Sequence, residues 1–394
     1  MKNKAVILGA NYYIGLSVIR CLGRHNIHTV AIEYQKKGTY GFASKYLKEK
    51  HIAPHYKKDT QGFIKYLIEY AKGQAEKPVL FPCADPYVEV VDAHLDQLKE
   101  YYLINQEEQG LFTKLMDKNS LHDIAVEHNV RVPETIRIDE NHLIDRVSSE
   151  LGYPCIVKPS DSPAFVDVFR RKMFKVHNTQ ELTEAIDKAT ANNLEVFVQR
   201  IIPGFDDHMY TYDCYLDQSS KVTHYMTCNK NRQYPINFGA SVYTQQVHVP
   251  ELHVIGAPFL QAVGFKGFAE IEFKKDEKTG EFYLIEINVR TTNLNVLLER
   301  VGLNFPLIAY MELTGQTIDS KFIESSSGRT FVYAFEDILA VIGYIRSNQL
   351  TFGQVFKAHF RKKAYAIWAF DDPKPYFMVI GEVIGKIFKK LLRR

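Results

Sequence analysis

Residues 267–290 read GFAEIEFKKDEKTGEFYLIEINVR, and no other stretch restricts the fold of this chain as much. Two apolar runs flank the charged turn Asp276-Glu277-Lys278-Thr279-Gly280, which predicts an antiparallel hairpin. Side chains alternate along a strand, so Glu270 and Glu272 share one face of the first strand, and Glu286, Asn288 and Arg290 share one face of the second. If the two faces coincide, Glu272, Glu286 and Asn288 converge as oxygen ligands. A hard cation such as Mg²⁺ takes oxygen donors and leaves its remaining positions to water and phosphate. Acids on a hairpin more often form its solvated face. Here Glu286 stands among Phe282, Leu284, Ile285, Ile287 and Val289, and a carboxylate in so apolar a strand needs a positive counterpart, which favours the metal site.

With 394 residues and 46% apolar content the chain can bury the cores of two or three domains. A net charge of +3 argues against a general polyanion binder, and nucleic acid is not implied. Cys21, Cys83, Cys155, Cys214 and Cys228 are scattered without CxxC spacing, so we expect small core residues in a reducing compartment rather than disulfides or zinc. The opening MKNKAVILGANYYIGLSVIRCLG has Asn11 inside its apolar run and reads as a strand-to-helix turn of a mature, cytoplasmic protein. No apolar run reaches the ~20 residues of a membrane span.

A strand at 4–8, a turn at 9–15, a helix from 16 and a strand at 29–32 give a βαβ opening. A strand at 78–82 then leads to Asp85 as N-cap of a helix, so a doubly wound α/β domain is expected over the first hundred or so residues. The turn GANYYIG lacks the middle glycine of a dinucleotide fingerprint and suits an anion at a helix N-terminus or no ligand at all. Residues 111–130 have helical periodicity, 155–157 form a strand ending in Lys158-Pro159, and a polar, glycine-free loop is expected over 160–168. A helix over 180–191 and strands up to Arg290 complete a mixed α+β central region.

Taken in order, Asp117-Lys118, PCIVKP at 154–159, VQRIIPG at 198–204 and EINVR at 286–290 resemble the ATP-grasp superfamily. The resemblance implies a pre-ATP-grasp α/β domain over 1–112, a two-subdomain ATP-grasp domain over 113–315 and a C-terminal extension with a basic amphipathic helix over 316–394. It also implies an enzyme that phosphorylates a carboxylate with ATP and lets an amine attack the acyl phosphate, with Mg²⁺ as the metal and Mn²⁺ as an alternative. The runs VQRIIPGFDDHMY and GFAEIEFK look most similar to bacterial D-aspartate ligases and related carboxylate–amine ligases of cell-envelope loci.

Carried onto this sequence, the resemblance makes Lys118 and Lys158 the phosphate-binding lysines. Gln199, Arg200 and Ile202 would lie along the adenine edge, with backbone groups of Arg200 and Ile202 bonding the base, and Asp206 would take the ribose. Glu272, Glu286 and Asn288 would hold the metal, Arg290 would stabilise charge on the acyl phosphate, and Arg232 is a candidate for the γ-phosphate or a substrate carboxylate. The usual glycine-rich lid is missing after Lys158, which leaves Ser160, Ser162 or Arg171 to close over the phosphates.

Beyond the resemblance, Val379, Ile380, Val383, Ile384, Ile387, Phe388, Leu391 and Leu392 recur at helical spacing beside Lys386, Lys389, Lys390, Arg393 and Arg394. Such a helix either lies on an anionic membrane or docks on the protein's own body, with the basic stretch 357–363 extending the same surface. The expected partners are thus a small-molecule carboxylate and amine, the inner face of the membrane through this helix, and a second copy as a homodimer. The expected product is an amide joining an amino acid such as D-aspartate to an envelope precursor. Alternatives are amino-acid decoration of a capsule or exopolysaccharide uronate, and a nucleotide-binding protein without turnover. A nicotinamide oxidoreductase would use Glu33 at the end of the second strand, but the incomplete fingerprint counts against it.

Overall fold

The computed structural model describes residues 2–138, 142–237 and 239–391, without the side chains of residues 162, 163 and 386–391. Strands β1 (Ala5–Leu8), β2 (Thr29–Glu33), β3 (Glu49–Ile52) and β4 (Val79–Pro82) pair in parallel in the order β3-β2-β1-β4. β1 reads AVIL and is wholly buried, as a parallel strand covered on both faces requires. The helix Tyr13–Gly23 completes the βαβ opening. Gly9 has φ +102°, and a Cβ on Gly15 would meet the Gly9 carbonyl oxygen at 2.2 Å, so both glycines serve the turn itself. Glu33 accepts the Tyr87 hydroxyl at 2.9 Å and the Asn11 N–H at 3.3 Å, bracing that turn instead of facing a ribose. Asp85 does not cap its helix: the helix spans Asp85–Ala93, with Ala84 at the cap and Pro86 filling the first turn.

The periodic stretch 111–130 divides at Asp117 into helices Leu111–Met116 and Lys118–Glu127, because the Asp117 carboxylate accepts the Ser120 N–H at 2.8 Å and starts a new helix. β5 (Thr135–Arg137), β6 (Cys155–Pro159), β7 (Phe174–Val176) and β8 (Val196–Arg200) then form an antiparallel sheet in the order β5-β8-β6-β7. The loop expected over 160–168 is instead largely the helix Ser162–Phe169. Asp161 caps it by accepting the Ala164 N–H at 3.0 Å, and Phe165 and Phe169, one turn apart, close on Phe174 of β7. The absence of glycine there fits a helix, not a flexible flap.

The largest sheet holds β9 (Met209–Leu216), β10 (Val222–Tyr234), β11 (Ala240–Gln246), β12 (Gly267–Lys275), β13 (Phe282–Asn288), β14 (Lys321–Phe322), β15 (Thr330–Val332) and β16 (Lys363–Tyr365). Its order is β13-β12-β9-β10-β11-β15-β16, with β14 beside β10. One face packs on the helices of 111–127 and on Pro250–Ala262, and the other on Asn295–Val301, Phe305–Leu313 and the first helix, so sheet and N-terminal region share a core. The five cysteines are free and buried.

The C-terminal segment wraps back onto this body through β15, β16 and the helices Ala334–Arg346, Phe352–His359 and Lys374–Leu391. The last is the expected amphipathic helix. Val379 is buried on it while Phe377, Val383 and Ile384 are exposed; the side chains of Lys386, Ile387, Phe388, Lys389, Lys390 and Leu391, and all of Leu392, Arg393 and Arg394, lie outside the described residues. Among the described residues no helix is long and apolar enough to cross a membrane.

A buried ion pair pins this segment. Arg20, 3% exposed, donates from Nε to Asp372 Oδ2 at 2.9 Å and to the carbonyls of Ile367 and Asp372 at 2.7 and 2.6 Å. Asp372, 1% exposed, also accepts the Ser44 hydroxyl at 2.6 Å and the Lys45 N–H at 3.0 Å. Removing one partner strands the other charge. Arg20→Ala should therefore cost about 3–5 kcal/mol in urea unfolding, and Arg20→Met with Asp372→Leu should recover most of it. A single-variant loss below about 1 kcal/mol, as for a surface pair, would show that water reaches Asp372.

Candidate active site

Near the open end of the hairpin, Glu270 lies opposite Asn288, Ile271 opposite Ile287 and Glu272 opposite Glu286. Toward the turn Phe273 pairs with Leu284, so Ile285 is an extra residue on β13. This bulge reverses the strand's parity. Phe282 and Leu284 enter the core before it, and Ile287 and Val289 after it. Without the bulge Glu286 would share the core-facing side of Phe282 and Leu284; with it, Glu286 and Asn288 join the face of Glu270 and Glu272.

The acids on that face are matched by cations. Lys230 of β10 places Nζ 2.5 Å from Glu272 Oε1. Glu270 accepts the Asn288 side-chain N–H at 3.0 Å and the Thr292 hydroxyl at 2.9 Å. Asp213, opposite Glu270 on β9, accepts the Thr211 hydroxyl at 2.7 Å. Burial and then the neighbouring Glu270 push Asp213 well above the usual carboxylate range, favouring its neutral form. Burial also pushes Glu272 up to about 7, against the pull of Lys230 and with the repulsion of Glu286. Glu286 is the opposite case: burial acts to raise it, but Lys230, Lys172, Lys158 and Lys118 together bring it below its ordinary value.

Lys158 lies on β6 and Lys172 just before β7, whereas Lys118 begins a helix packed on the central sheet. Lys158, buried at the end of β6, is pushed down to about 8 by burial and by Lys118. Lys118, the first residue of its helix, donates to the Pro159 carbonyl at 3.2 Å and is lowered mainly by burial. Arg290 is held by Asp85 in a two-point pair, Nε to Oδ1 at 2.5 Å and Nη2 to Oδ2 at 3.0 Å, with Nη2 also 3.3 Å from Asn288 Oδ1. Asp85 thus ties the N-terminal region to the strand that carries Glu286.

The remaining sequence candidates lie elsewhere or are already engaged. Gln199 donates its side-chain N–H to the Thr135 hydroxyl at 3.0 Å, and Ile202 is buried. Of the Arg200 backbone groups expected along the base, the N–H donates to the Glu134 carbonyl at 2.9 Å as part of the sheet, while the guanidinium pairs with Glu134 and Asp276. Arg232, expected to be free for an anion, is neutralised by Asp337 at 2.6 and 2.8 Å and stacks on Tyr243 at 3.7 Å. Asp206 accepts the Asn237 N–H at 2.7 Å and the Tyr344 hydroxyl on Oδ2. Arg232 and Asp206 line a cavity of about 250 Å³ together with Asp207, Asn231, Tyr243 and Tyr344.

Sequence reasoning passed over Lys230, Lys172, Asp213 and Asp85. Lys230 sits two positions from Arg232 in Asn-Lys-Asn-Arg-Gln, and a buried strand acid in need of a cation was the signal for it. Among the described residues no three His, Cys, Asp or Glu side chains form a closed cage for a metal ion. Glu272, Glu286 and Asn288 nevertheless put oxygen donors on one face, which fits a Mg²⁺ that draws its other ligands from phosphate and water.

Residues 122–306 match the family described as D-ala D-ala ligase C-terminus. The chain is 26% identical to D-aspartate ligase of Enterococcus faecium over 293 residues, covering 70% of this chain and 68% of that protein. It is 26% identical to D-alanine–D-alanine ligase of Acinetobacter baumannii over 151 residues, 37% of this chain and only 47% of that protein. Among solved structures, the biotin carboxylase domain of Hydrogenobacter thermophilus 2-oxoglutarate carboxylase, in complex with MgADP, aligns with a TM-score of 0.65 and 16% identity over 83% of this chain and 73% of that one. L-amino acid ligase from Bacillus licheniformis aligns with a TM-score of 0.58 and 15% identity over 79% and 75%.

The depressed Lys158 gives a pH prediction. Above about pH 8 its ammonium is largely neutral in the free protein, and nucleotide phosphates favour the charged form, so binding ATP in that range should take up a proton and weaken as pH rises. Calorimetric titration at pH 8.5 to 9, taken here as roughly the useful window, in two buffers of different ionisation enthalpy should show the uptake, and Lys158→Met should abolish it. Uptake unchanged in that variant would move the titration to another group.

Proposed function

We propose that this chain, which matches the D-ala D-ala ligase C-terminus family over residues 122–306 and resembles D-aspartate ligase along most of its length, is an ATP-grasp ligase that joins an amino acid carboxylate to the amine of a cell-envelope precursor through an acyl phosphate. D-Aspartate is the first carboxylate to consider, from the 26% identity to D-aspartate ligase over most of both chains. The observation that carries the reading is the meeting of Glu272 and Glu286 on the central sheet with Lys158 of β6 and with Lys118 at the start of a helix packed on that sheet, charges that shift each other's titration. Such a pairing suits a polyphosphate with a divalent cation between the opposite charges.

In this reading Lys118 and Lys158 hold the transferring phosphoryl group, and Glu272, Glu286 and Asn288 hold Mg²⁺. The metal, when bound, neutralises phosphate charge and acts as a Lewis acid. Lys230 then stands beside the site as the cation paired with Glu272, partly offsetting the rise that burial imposes on that carboxyl. A substrate carboxylate oxygen attacks the γ-phosphorus and ADP leaves. The amine then attacks the acyl carbon and loses a proton, and phosphate departs. Arg290, aimed by Asp85, offers its guanidinium to the negative charge that develops at the acyl centre. Gln199 and Ile202 flank the base, Arg200 contributes through its carbonyl, and Asp206 retains Oδ1 for a ribose hydroxyl while Oδ2 stays on Tyr344 and Asn237. The helix Lys374–Leu391 suits a peripheral contact with the membrane at which an envelope precursor would be met.

The test is phosphate release from ATP with Mg²⁺ across a panel of amino acids that includes D-aspartate, each with and without envelope precursors as amines. Release that depends on one carboxylate is expected. Glu286→Ala should lower it at least about a hundredfold while the circular dichroism spectrum stays that of the parent. Undiminished turnover in that variant would remove Glu286 from the metal site, and nucleotide binding without release under any donor would favour a protein that binds ATP without turnover.

A further inference from the structure

The helix Phe352–His359 is arranged in reverse of a helix that packs on a soluble body. Phe352, Phe356 and Phe360, at successive turns, are 77%, 67% and 71% exposed, and the helix contains no buried residue. Its half-buried positions are Val355 and Ala358, and the Ala358 carbonyl accepts the Tyr243 hydroxyl at 3.3 Å. The helix is nevertheless well started: Thr351 and Gln354 form a capping box. The Phe356 and Phe360 rings meet edge to face at 5.0 Å, so the outward side is a continuous aromatic ridge.

Along the chain the charge beside the ridge has one sign, and across the cavity that Lys357 and Arg361 help to line stand Asp206 and Asp207. Residues 338–370 contain no Asp or Glu, and they carry Arg346, Lys357, Arg361, Lys362 and Lys363. Of the acids that bound this stretch, Asp337 pairs with Arg232, Asp371 with Arg24 and Asp372 with Arg20, and Glu336 is half-buried. We propose that Phe352–His359 with the Phe360 that follows it is an interfacial membrane element, with Phe352, Phe356 and Phe360 at the boundary of headgroups and acyl chains of an anionic bilayer and Lys357, Arg361 and Lys362 against the lipid phosphates. Aromatic rings favour that boundary. Separate apolar outcrops occur on the same segment, at Ile338 with 63% exposure and at Phe370 with 89%, and a fluid surface can take such dispersed anchors where a folded partner would need a groove for each. The proposal does not depend on the ligase chemistry, and it concerns a helix other than Lys374–Leu391.

Cosedimentation of the full chain with vesicles tests it, using phosphatidylcholine alone and an equal mixture of phosphatidylcholine and phosphatidylglycerol. The expected result is binding to the mixed vesicles, weakened about tenfold or more by Phe356→Ser with Phe360→Ser. Lys357→Glu with Lys362→Glu should weaken it to a similar extent, about tenfold, on the mixed vesicles alone. Thermal unfolding followed by circular dichroism checks that both variants keep the parent fold. Equal binding to both vesicle types, binding to neither, or binding that survives both variants and disappears only when residues 374–394 are removed would overturn the proposal. So would a dimer in sedimentation velocity that the two serine substitutions dissociate, since a second copy of the chain would then cover the ridge.

Discussion

Four carboxylates, Asp213, Glu270, Glu272 and Glu286, crowd one face of three adjacent strands, and the folded chain can hold them there only with compensating charge. Desolvation and mutual repulsion both act to neutralise such a set. The protein answers unevenly. Asp213 is pushed toward its neutral form, Glu270 is satisfied by Asn288 and Thr292, Glu272 takes Lys230, and Glu286 is drawn toward its ionised form by Lys230, Lys172, Lys158 and Lys118. The depression of Lys158 to about 8 belongs to the same balance, because a buried ammonium next to Lys118 is as strained as the acids it faces. A ligand that brings negative charge to the lysines and positive charge to the acids would relieve both sides at once.

The C-terminal segment braces the cavity that Arg232 and Asp206 line. Asp337 and Tyr344 lie two turns apart on one helix and engage Arg232 and Asp206, so that helix fixes both residues from one side. Further on, Asp372 anchors the segment to Arg20 beneath the N-terminal sheet. The part of the chain with the weakest family signature thus reaches both the first helix and the cavity lined by Arg232 and Asp206. Its effect is positional: it supplies counter-charges and a hydroxyl to residues presented by other elements.

Much of this was legible in the chain. The strand AVIL, the βα turn with Gly9 and Gly15, the hairpin at 267–290 and the alternation that unites Glu286, Asn288 and Arg290 are local properties of sequence, and each is present in the structure. What failed did so where local signals compete. Residues 160–168 read as a loop because serine, aspartate and proline are loop formers, but in the order Asp-Ser-Pro they are also a helix start, and Phe165 and Phe169 at helical spacing close on Phe174. Asp85 looked like a cap for the same reason, since an acid before a helix serves equally as first residue and as a partner for a distant arginine.

By itself, then, the sequence determined which residues share a strand face and which family of folds the ordered motifs belong to, because alternation and motif spacing are properties of neighbours along the chain. Only the tertiary structure decided which way those faces point and which charges meet. One extra residue, Ile285, turns Glu286 out of the core, and no periodicity announces a bulge before the partner strand is known. Likewise the partners of Arg232, Asp206 and Glu272 are Asp337, Tyr344 and Lys230, set by the packing of distant segments, and the physical reason is that a buried charge takes the nearest opposite charge in space, whatever its distance along the chain.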